Sequence, residues 1–423
     1  MTLAIGIDFG TTNSVVAFAR ADGHVESLTW PSAKGETDTF RTALMFWREG
    51  RHVRHVAGPK ALDLAISNEQ EQRFIQSIKT HLASALFTET RLYSERFTIE
   101  KLVATFLTHL LEGAGDRVSN ALPITSGRPV VFAGERPDED LAVERLKSAY
   151  ALAGYDNVDL AYEPLGAAYW YARNLKRDET VLVADFGGGT SDFSILKFKS
   201  KNGAVSATPL AHGGVGIAGD TFDYRLLDHL VAPKLGKGTF YRSQEKRLPL
   251  PAYLHASFAQ WHQLSWLKSA QTLAKIRDLQ KTSEAPEGLE DLLTIIEMDL
   301  GFELYQVIGA LKAQLSEQDK AHLSFASEGV SIEADVTRDE FESWIAPDLA
   351  AIETAMDDTL ISAGLAPEAI DAVFMTGGTS YVPAVRNIFN RRFGADKIHI
   401  GNAFQSVASG LALLALDRAN APA

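Results

Sequence analysis

The chain has 423 residues, 46% hydrophobic and 22% charged, with a formal net charge of −13 and no cysteine. That length suits two or more domains with real cores, and the acidic balance speaks against a nucleic-acid binder or a partner of anionic membrane surfaces. The lack of thiols rules out disulfides, thiolate metal sites and a cysteine nucleophile. No apolar run reaches the roughly 18 residues of a membrane span. Asp8 interrupts the N-terminal apolar stretch, which has no basic flank, so a cytoplasmic location is expected rather than a signal peptide.

In chain order, residues 3–9, 14–19 and 25–29 read as short strands, with Ala21-Asp22-Gly23 as the clearest turn. From Glu100 the spacing of Val103, Phe106, Leu107, Leu110 and Leu111 predicts a helix that stops at Gly113-Ala114-Gly115. Residues 129–132 read as a strand end feeding a loop. A helix follows over about 138–153 with Leu141, Leu146, Ala149 and Tyr150 inward. Glu163-Pro164 opens another helix, since proline is tolerated in a first turn and an acid there suits the dipole. VLVADFGGGTSDFSIL, residues 181–196, reads as a hairpin. After Gly219 the chain is largely helical to about 318, with 237–252 and 281–290 as exposed loops. A strand returns at 372–375 and ends in Thr376-Gly377-Gly378, helices follow from Pro383 and over about 406–416, and the tail frays. Strands with glycine turns, helices, then the same again imply a duplicated α/β fold with a cleft between its halves.

The chemistry lies in the turns. In LAIGIDFGTTNSVVAFA an apolar strand ends in Asp8 and runs into Phe9-Gly10-Thr11-Thr12; later Asp185, Phe186, Gly187, Gly188, Gly189 and Thr190 take those places. Glycines at a strand-to-strand turn leave backbone N–H groups open to an anion with no Cβ in the way. Thr11, Thr12 and Thr190 add hydroxyl donors. Asp8 and Asp185 would repel a phosphate unless a cation lay between, as Mg²⁺ commonly does. One such hairpin would read equally well as an ordinary glycine turn; two in register read as a two-sided clamp on the β and γ phosphates of a Mg-nucleotide.

IGIDFGTTNS, YEPLGAAYWYA, VLVADFGGGTSDFSIL and MTGGTSYVPAV, in this order, resemble the ATPase domain of the DnaK-like heat-shock protein 70 chaperones of the actin-like ATPase superfamily. The resemblance covers nearly the whole chain and is strongest to the short YegD-like branch, which has little or no peptide-binding region. It implies a duplicated actin-like (ribonuclease H-like) α/β fold with lobes at 1–175 and 176–423. The second lobe would carry an enlarged helical insertion at about 220–320, and no peptide-binding domain would follow. It also implies ATP or ADP with Mg²⁺, K⁺ as a further cation, and slow hydrolysis as a switch read by a protein partner or client. By resemblance, Gly10, Thr11, Thr12, Gly187, Gly188, Gly189, Thr190, Gly219, Gly377 and Gly378 bind the nucleotide. Asp8, Asp185 and Asp192 orient Mg²⁺ waters or monovalent cations. Lys79, in FIQSIKTHL, matches the catalytic lysine beside the γ-phosphate, Glu163 the glutamate near the attacking water, and Thr190 and Asp192 complete the catalytic set. Pro129 matches a proline that relays the nucleotide state. Alone, Lys79 would be a surface lysine and Glu163 a first-turn acid.

The nucleoside side departs from the family. GALKAQLSEQDKAHLSF supplies Gly309, Lys312, Ala313 and Ser316 where relatives carry a glutamate, a Lys-Arg pair and a serine, so Lys312 and Ser316 alone carry over. Tyr381 replaces an arginine, offering its ring face to adenine, and Phe404 replaces an acid. Losing two such contacts weakens binding by about 1–3 kcal/mol. Trp261, Trp266 and the acids at 287–291 mark the longer helical segment, which reads more readily as a Trp-filled core than as a partner surface. Gly214, Gly216 and Gly219 fit G-x-G-x-x-G, but the following DTFDYRLLDHL is helical with Asp228 inside it, so a dinucleotide site is not expected. There is no P-loop sequence, and the pairs His52/His55 and His255/His262 lack zinc spacing. A small-molecule kinase of the same superfamily and a non-hydrolysing nucleotide-sensing scaffold stay open as alternatives; a filament former is disfavoured by the large insertion.

Overall fold

The computed structural model describes residues 3–33, 35–67, 72–119, 121–134, 136–173, 175–201, 204–259, 267–401 and 405–420. Trp261, His262, Trp266 and Phe404 lie outside the described residues. The chain divides into two compact units, Met1–Gly219 with Leu349–Ala423, and Asp220–Asp348.

The first unit contains two sheets of the same topology. In one, the Leu3–Phe9 strand pairs antiparallel with Asn13–Arg20 and parallel with Ile124–Arg128, which pairs parallel with Val158–Tyr162. Val25–Ser27 adds an antiparallel strand beside Asn13–Arg20. In the other, Glu179–Phe186 pairs antiparallel with Ser191–Lys201 and parallel with Ala372–Thr376, which pairs parallel with Ile398–Ile400. Ala204–Val215 adds the antiparallel strand beside Ser191–Lys201. Order and direction match strand for strand, which is the duplicated actin-like α/β architecture expected. Both central strands are almost wholly apolar and buried, as strands covered on two faces must be.

Helices cover the sheets where the apolar spacing places them. Ile99–Glu112 is capped by Thr98, whose Oγ1 accepts from Lys101 N at 3.3 Å, and it buries Val103, Phe106, Leu107, Leu110 and Leu111. Glu139–Leu152 is capped by Asp138, which accepts from Leu141 N at 3.0 Å; it buries Leu146, Ala149 and Tyr150, with Leu141 half-buried. The last helix runs over Ser406–Asn420, longer than expected, and meets the Glu163–Ala172 helix backbone to backbone. A Cβ on Gly410 would lie 1.6 Å from Gly166 O, so only glycine allows that approach.

Three expectations are corrected. The strand expected at 129–132 lies earlier, at Ile124–Arg128. Its Thr125 and Ser126 are fully buried, and Tyr150 Oη donates to Ser126 Oγ at 2.7 Å, so small polar residues fill a central strand that looks too polar for one. Residues 237–252 are not a plain loop but carry the hairpin Phe240–Ser243 with Lys246–Pro249. The helix Pro286–Glu297 takes up half of the loop expected at 281–290. A three-stranded sheet of Ala43–Glu49, His52–Ala57 and Gln72–Gln76 adds to the elements legible from sequence.

The second unit is helical through Ala252–Ala259, Ala270–Gln280, Pro286–Glu297 and Gly301–Glu317, then forms a hairpin of Lys320–Ser327 and Val330–Thr337. Among the described residues, no helix is long and apolar enough to cross a membrane.

Candidate functional site

Three glycine turns meet at one end of the paired sheets. The first follows Asp8 at the end of Leu3–Phe9. Thr42 fixes it from outside: its Oγ1 donates to Gly10 O at 2.8 Å and lies 2.9 Å from Ser14 Oγ, while its N–H donates to Thr12 O at 2.9 Å. The second is closed by Gly187 N donating to Thr190 O at 2.9 Å, with Asp185 and Asp192 directly opposed across the hairpin. A Cβ on Gly189 would lie 3.4 Å from Thr11 Oγ1, so the two turns run side by side. The third begins at Gly377, whose φ is +85°, with room for no Cβ because Phe186 O would lie 2.0 Å from it. Next to Gly378, Thr379 Oγ1 donates to Gly187 O at 3.3 Å.

Beneath the turns lies a buried charge cluster. Lys79 sits in the short helical turn Ile78–His81 and is 5% exposed; Glu163, the first residue of Glu163–Ala172, is 6% exposed. Lys79 Nζ donates to Glu163 Oε1 and lies 5.8 Å from the centre of the Phe9 ring. Asp192 Oδ1 accepts from Val130 N at 2.8 Å and Val131 N at 3.2 Å, and its Oδ2 accepts from Thr190 Oγ1 at 2.7 Å. Glu139 holds that donor loop: it accepts from Phe132 N at 2.9 Å and pairs with Arg128 at 2.8 Å.

The cluster is short of positive charge. Burial, then Glu163, pushes Asp8 up to about 7 against the pull of Lys79. Burial and Glu163 push Asp192 up to about 7, resisted by its bonds from Thr190, Val131 and Val130. Asp185 is raised well above the usual carboxylate range by burial and by Glu163, Asp8 and Asp192. Four carboxyl groups around one ammonium form a site that a divalent cation would relieve. Among the described residues, no three His, Asp or Glu side chains converge closely enough to hold a metal directly. Carboxylates can also meet a divalent cation through its own waters, as Mg²⁺ is commonly held.

The other candidates are placed as follows. Gly219 opens the Gly219–Leu226 helix, just after Ile217 O accepts from Ser191 Oγ at 2.6 Å. Gly214 lies inside a strand opposite Asp192, not at the strand-to-helix turn a dinucleotide fingerprint needs. Pro129 follows the Ile124–Arg128 strand and leads into the loop that binds Asp192. Lys312 and Ser316 lie on Gly301–Glu317 in the second unit, where Lys312 pairs with Asp223 at 2.8 Å and Ser316 Oγ donates to Lys312 O at 3.0 Å. Tyr381 is 43% exposed, and Arg386 of the Pro383–Phe393 helix sets its guanidinium 5.9 Å from that ring. Sequence reasoning misses Arg386, Thr42 and Glu139, since their partners are far along the chain or on a neighbouring turn. His55 Nδ1 lies 2.9 Å from His109 Nε2, and His255 bonds Leu235 O at 2.9 Å; among the described residues, neither gathers a metal-binding set.

Two sheets of one topology, each closing on a glycine turn beside buried acids, define the class as an actin-like α/β protein. A family model described as Hsp70 protein matches residues 51–251 and 302–416, most of the chain. The chain belongs to the Hsp70 family. Chaperone protein DnaK of Thermosipho melanesiensis is 25% identical over 413 residues, and those of Thermosipho africanus and Thermotoga petrophila are 27% identical over 417 and 416. Each alignment covers 97% of this chain but only 58%, 58% and 59% of the relative's own length.

Proposed function

We propose that the protein is a chaperone-like ATPase of the YegD-like kind, which binds ATP or ADP with Mg²⁺ and hydrolyses it slowly as a conformational switch. The observation that carries this reading is the cluster of Lys79 with the buried carboxyl groups of Glu163, Asp185 and Asp192 and the half-buried one of Asp8, beside three glycine turns. Gly10, Thr11, Thr12 and Gly187 to Gly189 offer N–H and hydroxyl donors to the phosphates from both sheets, with Gly377 and Gly378 beside them. Asp8, Asp185 and Asp192 would hold Mg²⁺, and K⁺ as a further cation, through water. When bound, Mg²⁺ neutralises charge on the phosphates. Lys79 directs its ammonium at the terminal phosphate, Glu163 orients the attacking water, and Thr190 turns its hydroxyl from Asp192 to the phosphate. The base-side assignments Lys312, Ser316, Tyr381 and Gly219 rest on the family resemblance. The two sheets would be the cores of two lobes, 1–175 and 176–423, whose closure reports ATP against ADP to a protein partner or client in the cytoplasm.

The test is phosphate release in a single turnover, comparing the native chain with Lys79→Ala and Glu163→Gln. Slow release by the native chain, with a loss of at least about tenfold in both variants, supports the ATPase. Tight binding with no release would favour a nucleotide-sensing scaffold. Turnover that starts only with an added metabolite would favour the kinase.

A further inference from the structure

We infer that Arg145 is a positioning residue for Lys79, holding the turn that presents its ammonium to Glu163; this rests on the ATPase reading above. Lys79 stands on weak local structure. Its helical turn is four residues long, Ile78–His81, and is entered through Ser77 at φ +54°, a left-handed conformation that a non-glycine residue adopts at a cost. No regular element follows until Glu89, and the segment's own bonds are single turns: Leu82 N to Lys79 O at 3.2 Å, Ser84 N to His81 O at 3.2 Å and Phe87 N to Ser84 O at 3.3 Å.

Arg145 supplies that order from outside. It lies within the Glu139–Leu152 helix and is 7% exposed. Its Nη1 donates to Leu82 O and Ser84 O, each at 2.9 Å, with His81 O at 3.4 Å, and its Nη2 donates to Phe87 O at 3.1 Å. Its Nε faces Glu100 at 3.3 Å. One planar cation thus gathers carbonyls from His81 to Phe87, the segment just after Lys79, and Asp138 N, at the cap of the same helix, adds a bond to Ala83 O at 3.0 Å. The bond to Leu82 O is buried, and a buried carbonyl left without this donor is costly, so without the guanidinium the segment would have to open or rearrange. A lysine at this position carries the charge but cannot reproduce the rigid fork. Ordering the turn before nucleotide binds is what a positioned catalytic ammonium requires. The expected signature is therefore on the chemical step, not on nucleotide affinity.

The experiment compares the full native chain with Arg145→Lys and Arg145→Met by two readouts. The first needs no nucleotide: amide hydrogen exchange of peptides spanning 78–87, with peptides from Leu3–Phe9 and Glu179–Phe186 as internal references. Exchange of 78–87 is expected to speed up about tenfold or more in Arg145→Met, less in Arg145→Lys, with both references unchanged. The second is single-turnover ATP hydrolysis beside ATP affinity: the rate is expected to fall about tenfold in Arg145→Met, with partial rescue by lysine and affinity held within about twofold. Unchanged exchange at 78–87 would overturn the proposal, as would a loosened turn with an unchanged hydrolysis rate. If Arg145→Met does not fold, Arg145→Lys carries the same comparison. If the native chain does not hydrolyse ATP, the catalytic role falls with the ATPase reading, while the exchange readout still decides whether Arg145 orders the turn.

Discussion

Replacing Lys79 with methionine keeps an unbranched apolar stem and removes the ammonium that faces Glu163, Asp8 and Asp185. Both partners of the pair are at most 6% exposed, so solvent screens them little. Breaking a buried pair from one side costs about 3–5 kcal/mol, because the other charge stays behind. At about 2 °C per kcal/mol, the lower end of the scale for a unit as large as Met1–Gly219 with Leu349–Ala423, Lys79→Met should lower the unfolding midpoint by roughly 6–10 °C at about pH 8. Lys79 holds Asp8 and Asp185 down, so without it both take protons more readily, and the deficit should shrink towards about pH 6. The assay is thermal unfolding without nucleotide for Lys79→Met, Glu163→Gln and the double variant at both pH values. The double variant leaves neither charge of the pair alone and should regain about half of the loss or more. A midpoint for Lys79→Met within about 1 °C of native at about pH 8, or strictly additive losses in the double variant, would refute the reasoning.

The same buried acids set the response to pH. Asp8 and Asp192 titrate near 7 in the folded chain against an ordinary carboxyl value of 3.8, so between those values the folded state binds more protons than the unfolded one. The nucleotide-free protein should therefore gain stability on acidification from about pH 8 towards pH 5, by up to about 1.4 kcal/mol per pH unit per group. Urea midpoints across that range check it, and a flat or falling trend would contradict it. Gly410→Ala should cost about 3 kcal/mol or more, since its Cβ would sit 1.6 Å from Gly166 O. Gly309→Ala, on the Gly301–Glu317 helix with nothing within 4 Å, should instead be neutral or add about 0.5–1 kcal/mol. Urea midpoints of the two variants give both signs.

Much of the site is legible in the sequence because its signals are local. Asp8 and Asp185 each end an apolar strand before glycines and threonines, and strand pairing then brings Asp192 opposite Asp185. The long apolar helices are equally readable from their spacing. What stays hidden depends on tertiary partners. The strand read at 129–132 lies at Ile124–Arg128, where Ser126 is satisfied by Tyr150 from another element. Arg145 is one of five charged residues on its helix, and nothing near it in sequence announces the carbonyls at 81–87 that it binds. The alternating burial of Lys320–Ser327 is a visible period-two signal that the helical reading of the preceding block obscures.

The central claim is that the buried acids and the glycine turns above them hold a Mg-nucleotide. Calorimetric titration of the full chain with ATP tests it most directly, in Mg²⁺ and in chelator, beside Asp185→Ala, with ADP and GTP reporting on the base side. The expected result is binding by the native chain that needs Mg²⁺ and weakens by about tenfold or more, roughly 1.4 kcal/mol, in Asp185→Ala. No binding by the native chain at about millimolar nucleotide, which is near −4 kcal/mol, or equal affinity in Asp185→Ala, would contradict it.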